Sequence, residues 1–182
     1  MGMGLSLKSM AIEMPAVHGH PNRAGFRGVL TMVDVASDKS PSGARGHRVL
    51  LTRRAAEAAM PSLMGMGLDY SPALDRHDAR RKIGVITRAE IVGRVIEVGG
   101  FLYAKDFPEI VAEIGRKTPT LAQKARKDGA PIPGLGMSYE IADALVEDIK
   151  ANVWVLNRVT FTGAAVLRRD KAAYFSTWIE LG

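Results

Sequence analysis

Ile83-Gly84-Val85-Ile86-Thr87-Arg88-Ala89-Glu90-Ile91, then Val92-Gly93-Arg94, then Val95-Ile96-Glu97-Val98-Gly99-Gly100-Phe101-Leu102-Tyr103 is the stretch whose reading decides the fold. Both long runs are rich in β-branched residues, and they are of nearly equal length. A tight glycine turn joins them. This is the pattern of an antiparallel β-hairpin.

Upstream of the hairpin, Gly28 to Asp34 reads as a strand and His47 to Leu51 as a shorter one. Thr52 is placed to cap an alanine-rich helix over 53–60, which Pro61 ends. Ser37 to Gly46 is turn-rich. Downstream, Asp106 and Pro108 suit the first turn of a helix that runs to about Arg116. Its apolar stripe is Phe107, Ile110, Val111 and Ile114. Lys117 to Pro133 is polar, carries three prolines and reads as an exposed loop placed to act as a lid or substrate rim. Val153 to Leu156, Val159 to Thr162 and Gly163 to Leu167 are again β-rich, with a turn at Arg168 to Lys171. Asp143 to Ile149 fits either a bent strand or a connection.

The sum is an α+β domain with a mostly antiparallel, β-barrel-like core and a few short helices. Residues 1–27 lack periodic pattern and read as a flexible N-terminal segment, leaving 28–182 as a single domain.

Composition narrows the function. The chain has 182 residues and no cysteine, which removes disulfides and thiol nucleophiles. No apolar run approaches the ~18 residues of a membrane span, and the N-terminus lacks the basic and apolar regions of a signal peptide. The formal charge is +6. The basic residues fall in small groups, at Arg53-Arg54, Arg80 to Lys82, Lys124 to Lys127 and Arg168-Arg169, with no aromatic interleaving. That distribution suits a solvated surface better than a nucleic-acid footprint. His18-Gly19-His20 lies among glycine, proline and asparagine with no third ligand in view, so it reads as a loop and no metal or cofactor is expected.

Leu135-Gly136-Met137-Ser138-Tyr139-Glu140 is a strand entered through Pro131, Pro133 and Gly134. Alternation puts Leu135, Met137, Tyr139 and Ile141 on one face and Gly136, Ser138, Glu140 and Ala142 on the other. The second face is small and polar, and Gly136 leaves space beside the Ser138 hydroxyl. Upstream, His77 stands among Asp75, Arg76 and Asp78, just before the hairpin. An imidazole is the usual base for activating a serine. Whether the two side chains meet is a question of folding, because serine–histidine pairs occur in several chain orders.

Four motifs in order carry a resemblance. Arg76-His77-Asp78-Ala79 with Ile83 to Ile86, the hairpin, Gly136 to Glu140, and Val159 to Leu167 together resemble a tailed-phage prohead (capsid maturation) serine protease. That family is related in fold to the herpesvirus assembly protease, assemblin. The resemblance spans about Val29 to Thr177. It implies His77 as general base and Ser138 as nucleophile. Assemblins place a second histidine on a later strand, and the corresponding region here is Asn157-Arg158. The third member is therefore open between Asn157 and Glu140. For the oxyanion, the small segment Gly163-Ala164-Ala165 suits backbone donors, whereas the resemblance points to Arg168-Arg169.

The resemblance further implies a soluble endopeptidase that processes scaffolding protein and major capsid protein inside the assembling prohead, in the host cytoplasm, as a homo-oligomer such as a dimer. It implies neither a membrane nor a nucleic-acid partner. The competing readings are a non-enzymatic capsid-assembly scaffold with a protease-like fold and a basic nucleic-acid-binding β-domain.

Overall fold

A computed structural model describes residues 10–13, 19–116 and 134–182. The expected lid over 117–133 and His18 of the His-Gly-His motif lie outside the described residues. His20 is described, and its Nδ1 accepts a hydrogen bond from the Asn22 N–H at 3.1 Å.

The expected hairpin is β5 (Lys82–Val92) and β6 (Val95–Leu102), closed at Gly93 with φ +57°. The other strands are β1 (Met10–Ala11), β2 (Ala24–Met32), β3 (Arg48–Leu51), β4 (Gly67–Asp69), β7 (Leu135–Val146), β8 (Val153–Arg168) and β9 (Trp178–Leu181). Two short helices, α1 (Arg53–Ala59) and α2 (Pro108–Arg116), complete an α+β fold in which strands take 46% of the described residues. Thr52 caps α1 as expected, its hydroxyl accepting the Ala55 N–H. Pro61 falls inside a 3-10 turn, Met60–Leu63, that continues the helix.

The strands form one sheet in the order β3-β8-β4-β5-β6-β2-β9, with β1 added beside β5 and β7 beside β8. Pairing is antiparallel except that β3 and β4 both run parallel to β8. The sheet curls into a half-barrel and stays open, so the barrel-like expectation holds only in that reduced sense. Curling brings Met137 of β7 against Gly28 of β2, where a Cβ would stand 2.8 Å from the Met137 sulfur. The inner face carries the core, including Phe26, Leu30, Ile86, Ile96, Leu102, Met137 and Phe161. Burying such side chains is worth about 1.5–3 kcal/mol each against exposure, and α2 adds Ile110 and Ile114 to the same core.

Two boundaries differ from expectation. β2 begins at Ala24, and Met10-Ala11 pairs with Ala89 and Arg88, so part of 1–27 belongs to the sheet. Residues 153–168 form one continuous strand, which pairs with β3 near its start and with β4 near its end. β7 covers its other edge through Val146, with register shifts near Asp143, a residue at φ +53°. The ambiguous segment after Ala142 is therefore an irregular strand end.

Candidate functional site

The alternation read from the serine strand is what the fold shows. Leu135 and Met137 are buried, and Tyr139 and Ile141 pack on the core. Ser138 and Glu140 lie on the opposite, outer face. Gly136 lies there too, but the space beside it is filled. A Cβ on Gly136 would stand 2.7 Å from Thr177 Oγ1, 3.3 Å from Arg169 Cα and 3.5 Å from Ala172 Cβ. A substrate group beside Ser138 therefore has no room on the Gly136 side.

Register fixes what stands next to the serine. Ser138 pairs with Ala165 and Glu140 with Gly163. On the other edge of β8, Asp69 of β4 pairs with Ala165. Asp69, Ala165 and Ser138 thus form one row across three strands. Ala165 belongs to a small outer cluster with Leu167 and Ala172, separate from the main core.

His77 lies against this row, on the loop between β4 and β5. The loop is pinned on both sides of it. Ser71 Oγ donates to Asp75 Oδ1 at 2.7 Å, and Leu74 O accepts the Arg168 N–H at 2.7 Å. The Asp78 N–H donates to Asp69 Oδ1 at 3.1 Å, and the Arg81 N–H to Asp78 O at 2.9 Å. Leu74 itself sits at φ +53°, a costly conformation for a bulky residue.

The imidazole is 17% exposed, with Nδ1 3.6 Å from Asp69 Oδ1 and 3.7 Å from Glu140 Oε1. Both ring nitrogens are buried and neither makes a hydrogen bond. The Ser138–His77 hydrogen bond is therefore unmade in this structure. Buried polar atoms are nearly always paired, so an imidazole with two unsatisfied nitrogens calls for a functional explanation. Catalytic hydrogen bonds in unliganded sites are often open in this way and close around substrate.

Asp69 is the residue the sequence reading missed. Its side chain is fully buried, and Oδ2 takes an ion pair from Lys82 Nζ at 3.0 Å. Burial alone would push its carboxyl up. The His77 imidazole, the Lys82 ammonium and the Asp78 amide together outweigh that and hold it below the ordinary 3.8. Asp69 is thus a fixed anion at Nδ1. The sequence signal was a lone acid inside the apolar run Met66-Gly67-Leu68-Asp69-Tyr70, eight residues before the histidine.

The expected third members fare differently. Asn157 is exposed, bonds to Glu147 at 3.4 Å, and lies eight residues from Ala165, roughly 26 Å along the strand. It has no contact with His77, because β8 is one continuous strand. Glu140 does reach His77, but it is half exposed, and among the described residues no second group pairs with it as Lys82 does with Asp69.

The expected oxyanion donors are engaged. Ala164 and Ala165 lie between β7 and β4, with both edges paired. Gly163 pairs with Glu140, and its missing side chain makes room for that carboxylate. The Arg168 N–H goes to Leu74 O and the Arg169 N–H to Gly134 O at 3.1 Å. Gly163 makes room for Glu140 on the outer face, whereas Ala164 packs in the main core.

A cavity of ≈ 580 Å³ lies elsewhere, lined by Arg27, Arg88, Glu97, Gly99 and Trp178 among others, with none of Asp69, His77 or Ser138. Arg27 pairs with Glu180 and Arg88 with Glu90, so these arginines are neutralised locally. Among the described residues no group of His, Asp and Glu is arranged to hold a metal ion, and no helix is long and apolar enough to cross a membrane. No protein-family model and no curated protein matches the chain.

Proposed function

We propose that the chain is a serine endopeptidase with Ser138 as nucleophile, His77 as general base and Asp69 as the carboxylate that orients the imidazole. One observation carries this reading. A partly exposed histidine whose two ring nitrogens are buried and unbonded lies against the row formed by a fixed aspartate and a serine. Closing the 3.6 Å gap between Asp69 Oδ1 and Nδ1 fixes the proton there and leaves the Nε2 lone pair for the Ser138 hydroxyl.

The chemistry is acyl transfer. Ser138 Oγ attacks the scissile carbonyl as His77 Nε2 takes its proton. The tetrahedral intermediate collapses when His77 returns that proton to the leaving amine. Water then attacks the ester by the same route and releases Ser138. Serine, imidazole, carboxylate and water balance every step. Oxyanion stabilisation needs a backbone donor. The Arg168 amide is not placed for that role, since Arg168 pairs with Leu135, three residues and about 10 Å along the strand from Ser138, and its N–H points to Leu74.

The resemblance to tailed-phage prohead proteases supplies the biological substrate in this proposal. That substrate is scaffolding and capsid-protein segments cleaved by a self-associating enzyme within the assembling shell, in the host cytoplasm. A second reading, a non-enzymatic assembly factor on the same frame, is favoured by the open Ser138–His77 bond and the engaged amides.

Labelling by a serine-directed fluorophosphonate separates the two. The peptidase reading expects labelling of wild type and loss of it in Ser138→Ala and His77→Ala, with folding retained. Equal labelling of all three, or of none, supports the assembly factor.

A further inference from the structure

We infer that Glu140 selects the substrate, favouring a lysine or arginine within two residues of the scissile bond. This rests on the peptidase reading of Ser138 and gives that site a substrate class. Glu140 follows Ser138 on the same strand face, about 6.6–6.8 Å farther along. An extended substrate has the same rise per residue. When its scissile carbonyl sits at Ser138 Oγ, the side chain two residues away stands level with Glu140.

The electrostatics point to a cation there. The Glu140 side chain is 50% exposed, and its one ion-pair contact among the described residues is His77 Nδ1 at 3.7 Å. No lysine or arginine of the described chain lies within 4.0 Å of it, although the protein carries a formal +6. Asp69 is the contrast, its charge already taken up by Lys82 and the Asp78 amide. Gly163 beneath holds the arrangement open, since a Cβ there would stand 2.8 Å from Glu140 Oε2. A half-exposed carboxylate beside the catalytic pair, with no lysine or arginine against it among the described residues, attracts a basic side chain and repels an acidic one.

The test is cleavage-site profiling of a proteome-derived peptide library by mass spectrometry, using the full chain as wild type, Glu140→Gln, Glu140→Lys and Ser138→Ala. Wild type is expected to enrich lysine and arginine near the scissile bond by about three- to fivefold, the scale of a partly exposed ion pair. The enrichment disappears in Glu140→Gln, and acidic residues replace basic ones in Glu140→Lys. Cleavage that depends on Ser138 but shows no basic preference, or the same preference in all Glu140 variants, overturns the role of Glu140 alone. Absence of any cleavage that depends on Ser138 overturns the peptidase reading, and this inference with it.

Discussion

Asp69 and Ser138 flank the same residue, Ala165, from opposite edges of β8. Strands in a sheet are about 4.7–4.9 Å apart, so two spacings put the backbones of these residues a little under ~10 Å from each other. That is a gap an imidazole can bridge. The parallel pairing of β4 with β8 and the antiparallel pairing of β7 with β8 create it. The second pairing joins consecutive strands, but the first links residues almost a hundred positions apart.

If this relationship orients the base, Asp69→Asn removes the anion that holds the Nδ1 proton. The fluorophosphonate reaction rate should fall by about 10³–10⁴-fold, as removal of the orienting carboxylate does in serine proteases. Asn157→Ala should change it by less than about twofold, since Asn157 is exposed and its side chain bonds to Glu147, away from the site. Equal losses in the two variants would remove Asp69 from its assigned role.

Ala165 lies between Asp69 and Ser138 in the row that His77 approaches, and packs with Leu167 and Ala172 in a small outer cluster. Ala165→Val adds two methyl groups where the histidine must lie. We expect about 1–3 kcal/mol of destabilisation in urea titration and loss of fluorophosphonate labelling in the fraction that remains folded. Retained labelling at the wild-type rate would show that the imidazole does not need that space.

The sequence made the elements legible and left their lateral order hidden. Hairpin β5–β6, the Thr52 cap and the two faces of β7 follow from local pattern, because alternation and turn chemistry are local. Asp69 could not be assigned because its strand is three residues long and owes its existence to pairing with both β5 and β8. Asn157 enters only through the resemblance, as the position matching a second histidine on a later strand, and along the continuous β8 it stands far from Ala165 and His77. Gly163-Ala164-Ala165 was read as a place for substrate to meet backbone. Its backbone is paired, Gly163 makes room for Glu140, and Ala164 packs in the main core.

Glycines inside the strands mark where the sheet curls tightly. A Cβ on Gly100 would collide with the backbone carbonyl of Val85, and one on Gly84 with that of Phe101. Neither carbonyl can move without breaking the β5–β6 ladder. Gly100→Ala should therefore cost about 3 kcal/mol or more. Gly136→Ala should cost about 1–3 kcal/mol, because its Cβ meets Thr177 Oγ1, the acceptor of the Met137 N–H. Equilibrium unfolding of the variants ranks them, and a Gly100→Ala protein as stable as wild type would show that the hairpin relaxes at no cost.

Acid should weaken the site in a defined direction. The Asp69 carboxyl is held below its ordinary 3.8 in the folded protein, because its partners outweigh the upward push of burial. A depressed carboxylate pKa means that the unfolded chain binds the proton more readily than the folded one. The stabilisation is therefore complete above pH 3.8 and is lost as the pH falls through the lower, folded value. Wild type and Asp69→Asn should differ most in stability above that window and converge below it, since only the wild type carries the titrating group. Urea midpoints for both proteins between about pH 6 and pH 3 give the comparison. A stability gap that stays constant across the window would mean that Asp69 contributes through shape alone, and a gap that widens in acid would reverse the sign argued here.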